Sequence, residues 1–300
     1  MFSHRRRLAL ALAAAAATAC VTAVPAQAHL LDPVVEILPA RPVPYHPSTE
    51  TTCADADPQC LTDTIAHLQQ RADTLIARCD HDAVFALAYL RVTQEVSRAI
   101  DEGIYDDEAW LRHQDAVFAE DYFETYEAWH DGRKDEVPQA WRIALQAADD
   151  GSVSALGDFM LAMNAHINRD FSYVLAGVGL TGPDGKTHKP DHNRFNARLD
   201  ALYQPVFAEM AERLDPRFDD LDLGPLDDEG VGTIMRAWRE IVWRNAEALA
   251  LAKTPLQQRL AEQRIESYAA SQATLYRVLF AASPKQRQER DAFCASHPSA

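Results

Sequence analysis

Residues 164–170 of this chain read Asn-Ala-His-Ile-Asn-Arg-Asp. His166 and Asp170 stand one helical turn apart, at i and i+4, so their side chains can meet on one face. An imidazole and a carboxylate so placed can share one divalent metal such as zinc. Alternatively, the carboxylate can orient the imidazole as a general base. Asn164 and Asn168 lie near the other edge of the same face and can position a substrate. On a wheel of about 100° per residue, Leu156, Met163, Ile167, Val174 and Val178 form an apolar stripe, and Asp170 falls near its middle. A carboxylate on an apolar stripe is costly unless it is paired, ligated or protonated. His166, Asp170, Asn164 and Asn168 are therefore the expected catalytic residues.

Two further clusters are candidates to complete that site. Asp80-His81-Asp82 precedes a helix whose backward extension puts His81 on the Phe85–Val92 stripe. Either aspartate reads most simply as an N-cap. The three together are also candidate metal ligands beside His166 and Asp170. Further along, Arg91 and Thr93 flank the stripe as candidate substrate-binding residues, and Arg91 is a candidate partner for a buried Asp170. Asp191-His192-Asn193-Arg194-Phe195-Asn196 opens another helix. Asp191 reads as a cap there, and Arg194 and Asn196 as candidate substrate contacts. His188 and His192 have the spacing of a helical metal pair, but Pro190 lies between them. No Gly-x-Ser-x-Gly, phosphate loop, dinucleotide fingerprint or His-Glu-x-x-His is present, so serine and cysteine nucleophile chemistry has no support.

The elements that must position these residues are helical. Helices are expected from Thr62 to about Arg78, from Ala83 to near Gly103, and from Asp106 to before Gly132. Others follow from Pro138 to about Asp149 and from Ser152 to near Gly177–Gly179. The last are expected at about 191–214, 228–252 and 255–281, with a short one after Pro284. The helix at 83–103 is apolar on two sides, with Phe85, Val92 and Val96 on one and Leu87 and Leu90 on the other, which places it centrally. No stretch alternates with period two. The expectation is an all-α fold: a single multi-helix bundle of about eight helices over residues 62–296, tied by disulfides. Residues 29–61, rich in proline, read as an extended N-terminal arm, and 215–227 as an acidic connector.

Residues 1–28 read as a secretory signal, with Arg5-Arg6-Arg7, an apolar run from Leu8 to Ala19 and a small-x-small site at Ala26-Gln27-Ala28. The expected location is extracellular. Lipid anchoring at Cys20 is disfavoured by a poor lipobox. Cleavage would leave His29 at the amino terminus, where its amine and ring are a weak copper-binding candidate. It would also remove three arginines and no acid. The formal charge would then fall from −16 to −19, with 45 acids against 26 bases. Such a surface repels nucleic-acid phosphate, and no run is long enough to span a membrane. Cys53, Cys60, Cys79 and Cys294 allow three pairings. The preferred one is Cys53–Cys60 with Cys79–Cys294, which closes a short loop and holds the C-terminal tail.

The run Met163-Asn164-Ala165-His166-Ile167-Asn168-Arg169-Asp170-Phe171 resembles the hallmark of the bacterial family known as domain of unknown function 5995. Arg78-Cys79-Asp80, the stretch from Phe85 to Thr93, Tyr105-Asp106-Asp107 and Asp191 to Asn196 fit the same resemblance in order, over roughly residues 75–200. Phe195-Asn196 stands where that pattern has Ile-Asn. The resemblance implies a helical domain and brings no activity with it. A more distant analogy is to the zinc-dependent phospholipase C and P1-type nuclease group, on one His-x-x-x-Asp pair.

The function expected from these residues is a metal-assisted or His/Asp-dependent hydrolase of a small ester or phosphoester. The alternatives are a secreted small-ligand-binding protein without catalysis, and a motif that serves as a structural hydrogen-bond network.

Overall fold

A computed structural model describes residues 38–218 and 228–297. The proposed signal segment, His29 and most of the acidic connector lie outside the described residues. The described chain is all-helical, with α1 (Pro58–Ala77), α2 (Ala83–Asp101), α3 (Glu108–His130), α4 (Gln139–Asp150), α5 (Ala155–Met163), a π-helical segment (Asn164–Asp170), α6 (Phe171–Val178), α7 (Lys189–Arg213), α8 (Asp228–Ala250), α9 (Pro255–Leu279) and α10 (Pro284–Ser296). Among the described residues no helix is long and apolar enough to cross a membrane.

Local chemistry sets most helix ends. Asp57, Ser154, Thr254 and Ser283 accept backbone N–H bonds at the starts of α1, α5, α9 and α10, and Ser283 with Gln286 forms a capping box. Helix α1 begins at Pro58, four residues before the expected Thr62, because Asp57 caps it and proline suits the first turn. The chain leaves α6 through Gly179, whose φ of +94° is strained for other residues.

Helix α2 is central, as its two apolar sides imply. Every residue from Ala83 to Leu90 is buried, and α1, α5 and α7 pack on it. The chain from Ala155 to Val178 forms a second axis. Its π segment touches α3, α4, α8 and α9. The expected single α-helix is thus interrupted: bonds from i to i+5 widen the turns over 164–170.

The described part of the N-terminal arm is extended and pinned down. Thr49 N–H donates to the Gly177 carbonyl at 3.0 Å, Thr181 Oγ1 to the Val43 carbonyl at 2.8 Å, and Arg41 N–H to Glu247 at 2.7 Å. The disulfides are Cys53–Cys60 and Cys79–Cys294, with Cα atoms 6.0 and 5.8 Å apart. The second ties α10 to the start of α2.

Candidate functional site

The wide turn of the π segment splits its residues between two sides. Met163, His166 and Ile167, with Phe171 at the start of α6, face a cavity. Asn164 and Asn168 face α9: Asn164 Nδ2 donates to the Ala269 carbonyl at 2.9 Å, and Asn168 Nδ2 to Asn164 Oδ1 at 2.9 Å. Neither asparagine lines the cavity, so neither is placed to position a substrate in it.

Asp170 does not lie on the cavity stripe that an α-helical wheel assigns to it. It is 0 % exposed and points to α4, where Trp141 Nε1 donates to its Oδ2 at 2.6 Å. Arg169 Nη1 donates to its Oδ1 at 2.8 Å and reaches on to Glu266 through Nε at 2.9 Å. The expected Arg91 partner is elsewhere, in a bidentate pair with Glu209. Burial works against the charged Asp170. His166 and Arg169 outweigh it and hold this carboxyl below its usual value.

His166 is 1 % exposed. Its Nδ1 lies 3.5 Å from Asp170 Oδ2, longer than a good hydrogen bond, and among the described residues neither ring nitrogen has a hydrogen-bond partner of ordinary geometry. Phe118 stacks on the imidazole with centroids 3.5 Å apart, and Phe85 and Tyr89 meet it edge-on at 5.3 and 4.4 Å. Burial lowers the imidazole pKa, and Asp170 partly offsets it. The result is an imidazole kept neutral, with free nitrogens, in an aromatic cage.

The expected metal set does not converge. Asp80 Oδ1 accepts from the Asp82 N–H at 3.0 Å, a local cap. Asp82 pairs with His130 at 3.2 Å, and His81 Nε2 with Asp291 at 3.0 Å. Phe85 and Trp141 stand between these groups and His166. Among the described residues the one three-ligand grouping is Cys53, Asp55 and Cys60, whose cysteines are joined in a disulfide.

Of the remaining expected contacts, Thr93 is fully buried away from the cavity. Arg194 binds Asp106 at 2.8 Å and also Asp191. Asp191 is a cap, though not of its own helix: its two oxygens accept the N–H groups of Asp106 and Asp107 ahead of α3, at 2.9 and 2.8 Å. Asn196 does contribute to the cavity, because its Oδ1 accepts from Arg239 Nε at 2.7 Å and fixes that guanidinium in the wall.

The cavity runs between α2, α3, the π segment, α7 and α8. Its volume is about 60 Å³, and it opens in part to solvent. Val92, Val96, Leu111, Phe195 and Leu199 make much of its wall apolar. Its polar groups include two that the motif reading missed, Asp115 and Arg239. Asp115 is 3 % exposed, its Oδ2 has no partner among the described residues, and desolvation alone pushes its pKa up to about 7. Tyr203 adds a hydroxyl without a partner among the described residues, and Tyr89 adds a second phenol. Both missed residues carried a readable signal. Asp115 sits four after Leu111 and three before Phe118. Arg239 sits four after Met235 and three before Val242. Each is a charge on an apolar stripe.

Buried polar atoms normally find partners. This cavity gathers imidazole, carboxyl and phenol atoms whose hydrogen-bonding capacity is unmet among the described residues. No curated protein and no solved structure matches the chain. Residues 61–279 match one family along most of the chain's length, and the protein belongs to that family, the family of unknown function DUF5995.

Proposed function

We propose that this protein is a hydrolase that uses His166 to activate water against a small ester held in the cavity. The observation that carries the reading is His166 itself: a neutral imidazole with both nitrogens unpaired, facing the cavity and backed by a fixed carboxylate. His166 takes a proton from water, and the hydroxide adds to the ester carbonyl carbon. The carbon–oxygen bond to the alcohol then breaks. Asp115, protonated up to about pH 7 by burial, donates its own proton to the leaving oxygen, and the proton held on His166 passes through solvent back to Asp115 to reset the pair. Burial keeps the His166 imidazole in its unprotonated, basic form and raises Asp115 into the range where an acid can donate near neutrality. Trp141 and Arg169 hold Asp170 so that it can orient the imidazole as that ring becomes charged. These bonds occupy both Asp170 oxygens, which favours the orienting role over metal ligation.

The disulfides and the reading of residues 1–28 support export as the setting for this activity. A second reading, a secreted ligand-binding protein without catalysis, is favoured by the long 3.5 Å approach of His166 to Asp170. The test is release of alcohol and acid from a panel of short-chain esters by the purified chain. Turnover supports the hydrolase. Esters that bind and stabilise the protein without being cleaved support the second reading and sink the first.

A further inference from the structure

The cavity contains a cation that no described carboxylate neutralises. Arg239 is 7 % exposed. Its Nε donates to Asn196 and its Nη2 to the His192 carbonyl, both neutral groups. The guanidinium lies 5.6 and 5.7 Å from the Phe171 and Phe195 ring centroids. Burial pushes its pKa down to about 10, and the polar side chains acting against that are the phenols Tyr105 and Tyr203. Other inward arginines are paired: Arg290 with Asp158 at 2.6 Å, and Arg169 with Asp170 and Glu266. A buried charge without a counter-ion costs several kcal/mol, yet two directional hydrogen bonds fix this one in a cavity wall.

We propose that Arg239 anchors the carboxylate of a small, otherwise apolar ligand, so that the substrate class is an ester bearing one free carboxylate. This rests on the cavity being the substrate site, as proposed above. One cation matches one negative charge. Among the described residues no other Lys or Arg lines the cavity, whereas Asp115 and Asp191 do. A dianionic phosphate would meet too little positive charge and too much negative. The apolar body lies along Val92, Val96, Phe195 and Leu199. Ring contacts run from His166 to Phe118 at 3.5 Å and on to Phe171 at 4.6 Å, and Arg239 lies against Phe171. The anion is thereby held apart from the reacting imidazole, as an anchored substrate requires.

Calorimetric titration of the purified chain with hexanoate, hexanol and hexyl phosphate at about pH 7, where the phosphate is already largely dianionic and Asp115 still holds part of its proton, tests this. Hexanoate is expected to bind at least about tenfold more tightly than either of the others, the scale of one charge-assisted contact. Arg239→Met is expected to reduce hexanoate to the affinity of hexanol and leave hexanol unchanged. Hexanoate no tighter than hexanol on the unmodified protein, tighter hexyl phosphate, or a folded Arg239→Met that keeps hexanoate would each overturn the proposal. The comparison on the unmodified protein needs no variant to fold. Selective hexanoate binding by a protein that cleaves no ester would leave the Arg239 assignment standing and count against the hydrolase.

Discussion

His166 lies face to face with Phe118, ring centroids 3.5 Å apart and planes 3° from parallel. The stack fixes the imidazole plane, while the Asp170 carboxylate approaches Nδ1 in the long contact at 3.5 Å. Packing, more than hydrogen bonding, orients this histidine. Phe118→Leu is therefore expected to lower kcat on a cleaved ester more than His166-independent properties such as melting temperature. A fall of about tenfold would match the loss of one orienting contact, and steady-state kinetics beside thermal unfolding would separate the two effects.

Asp170→Asn should destabilise the fold by about 3–5 kcal/mol, the usual cost of breaking a buried charge pair. Arg169 would lose its strongest buried partner and keep Glu266. Denaturant unfolding measures this. A variant as stable as the parent would mean that the Arg169–Asp170–Trp141 cluster contributes little.

Asn164→Ala is expected to cost about 1–3 kcal/mol, because the buried Asn168 Nδ2 loses its acceptor and the Ala269 carbonyl loses its donor from outside the helix. Hexanoate affinity should not change, since Asn164 faces α9 and not the cavity. A variant with normal stability and lost ligand binding would contradict that placement.

Asp115 gives the fold a pH dependence of definite sign. Its ordinary pKa of 3.8 rises to about 7 in the folded protein. Between these values the native state keeps a proton that the unfolded chain has released. Its contribution to stability therefore falls as pH rises through that window, and levels off above it. Asp115→Asn should flatten the decline between about pH 5 and about pH 8 and stabilise the protein at the upper end by a few kcal/mol at most. Chemical unfolding at the two pH values checks this. An Asn variant no more stable than the parent at the higher pH would show that Asp115 is not desolvated as described.

Much of the fold was legible in the sequence. Helical periodicity and caps located the helices to within a few residues, and the two apolar sides of α2 announced its central position. The site was legible only in part, for three physical reasons. A wheel at a constant α-helical angle cannot register the extra residue per turn between Asn164 and Asp170, so it set Asp170 on the cavity face. The structure instead turns Asp170 to Trp141 and the two asparagines to α9. The helical pattern also places Asp80, His81 and Asp82 near His166, since sequence spacing does not register an intervening aromatic layer, here Phe85 and Trp141. Asp115 and Arg239 obey the same rule that singled out Asp170, a charge on an apolar stripe, but no short motif surrounds them.

The most direct measurement of the central claim is kcat/KM for a cleaved carboxylate-bearing ester with the parent protein and with His166→Gln, a replacement of similar size. Circular dichroism and hexanoate binding would verify that the variant keeps its fold and cavity. The account predicts a fall of about 10²–10⁴-fold, the range for losing a general base, with hexanoate affinity retained. A folded His166→Gln that cleaves the ester as fast as the parent would contradict it.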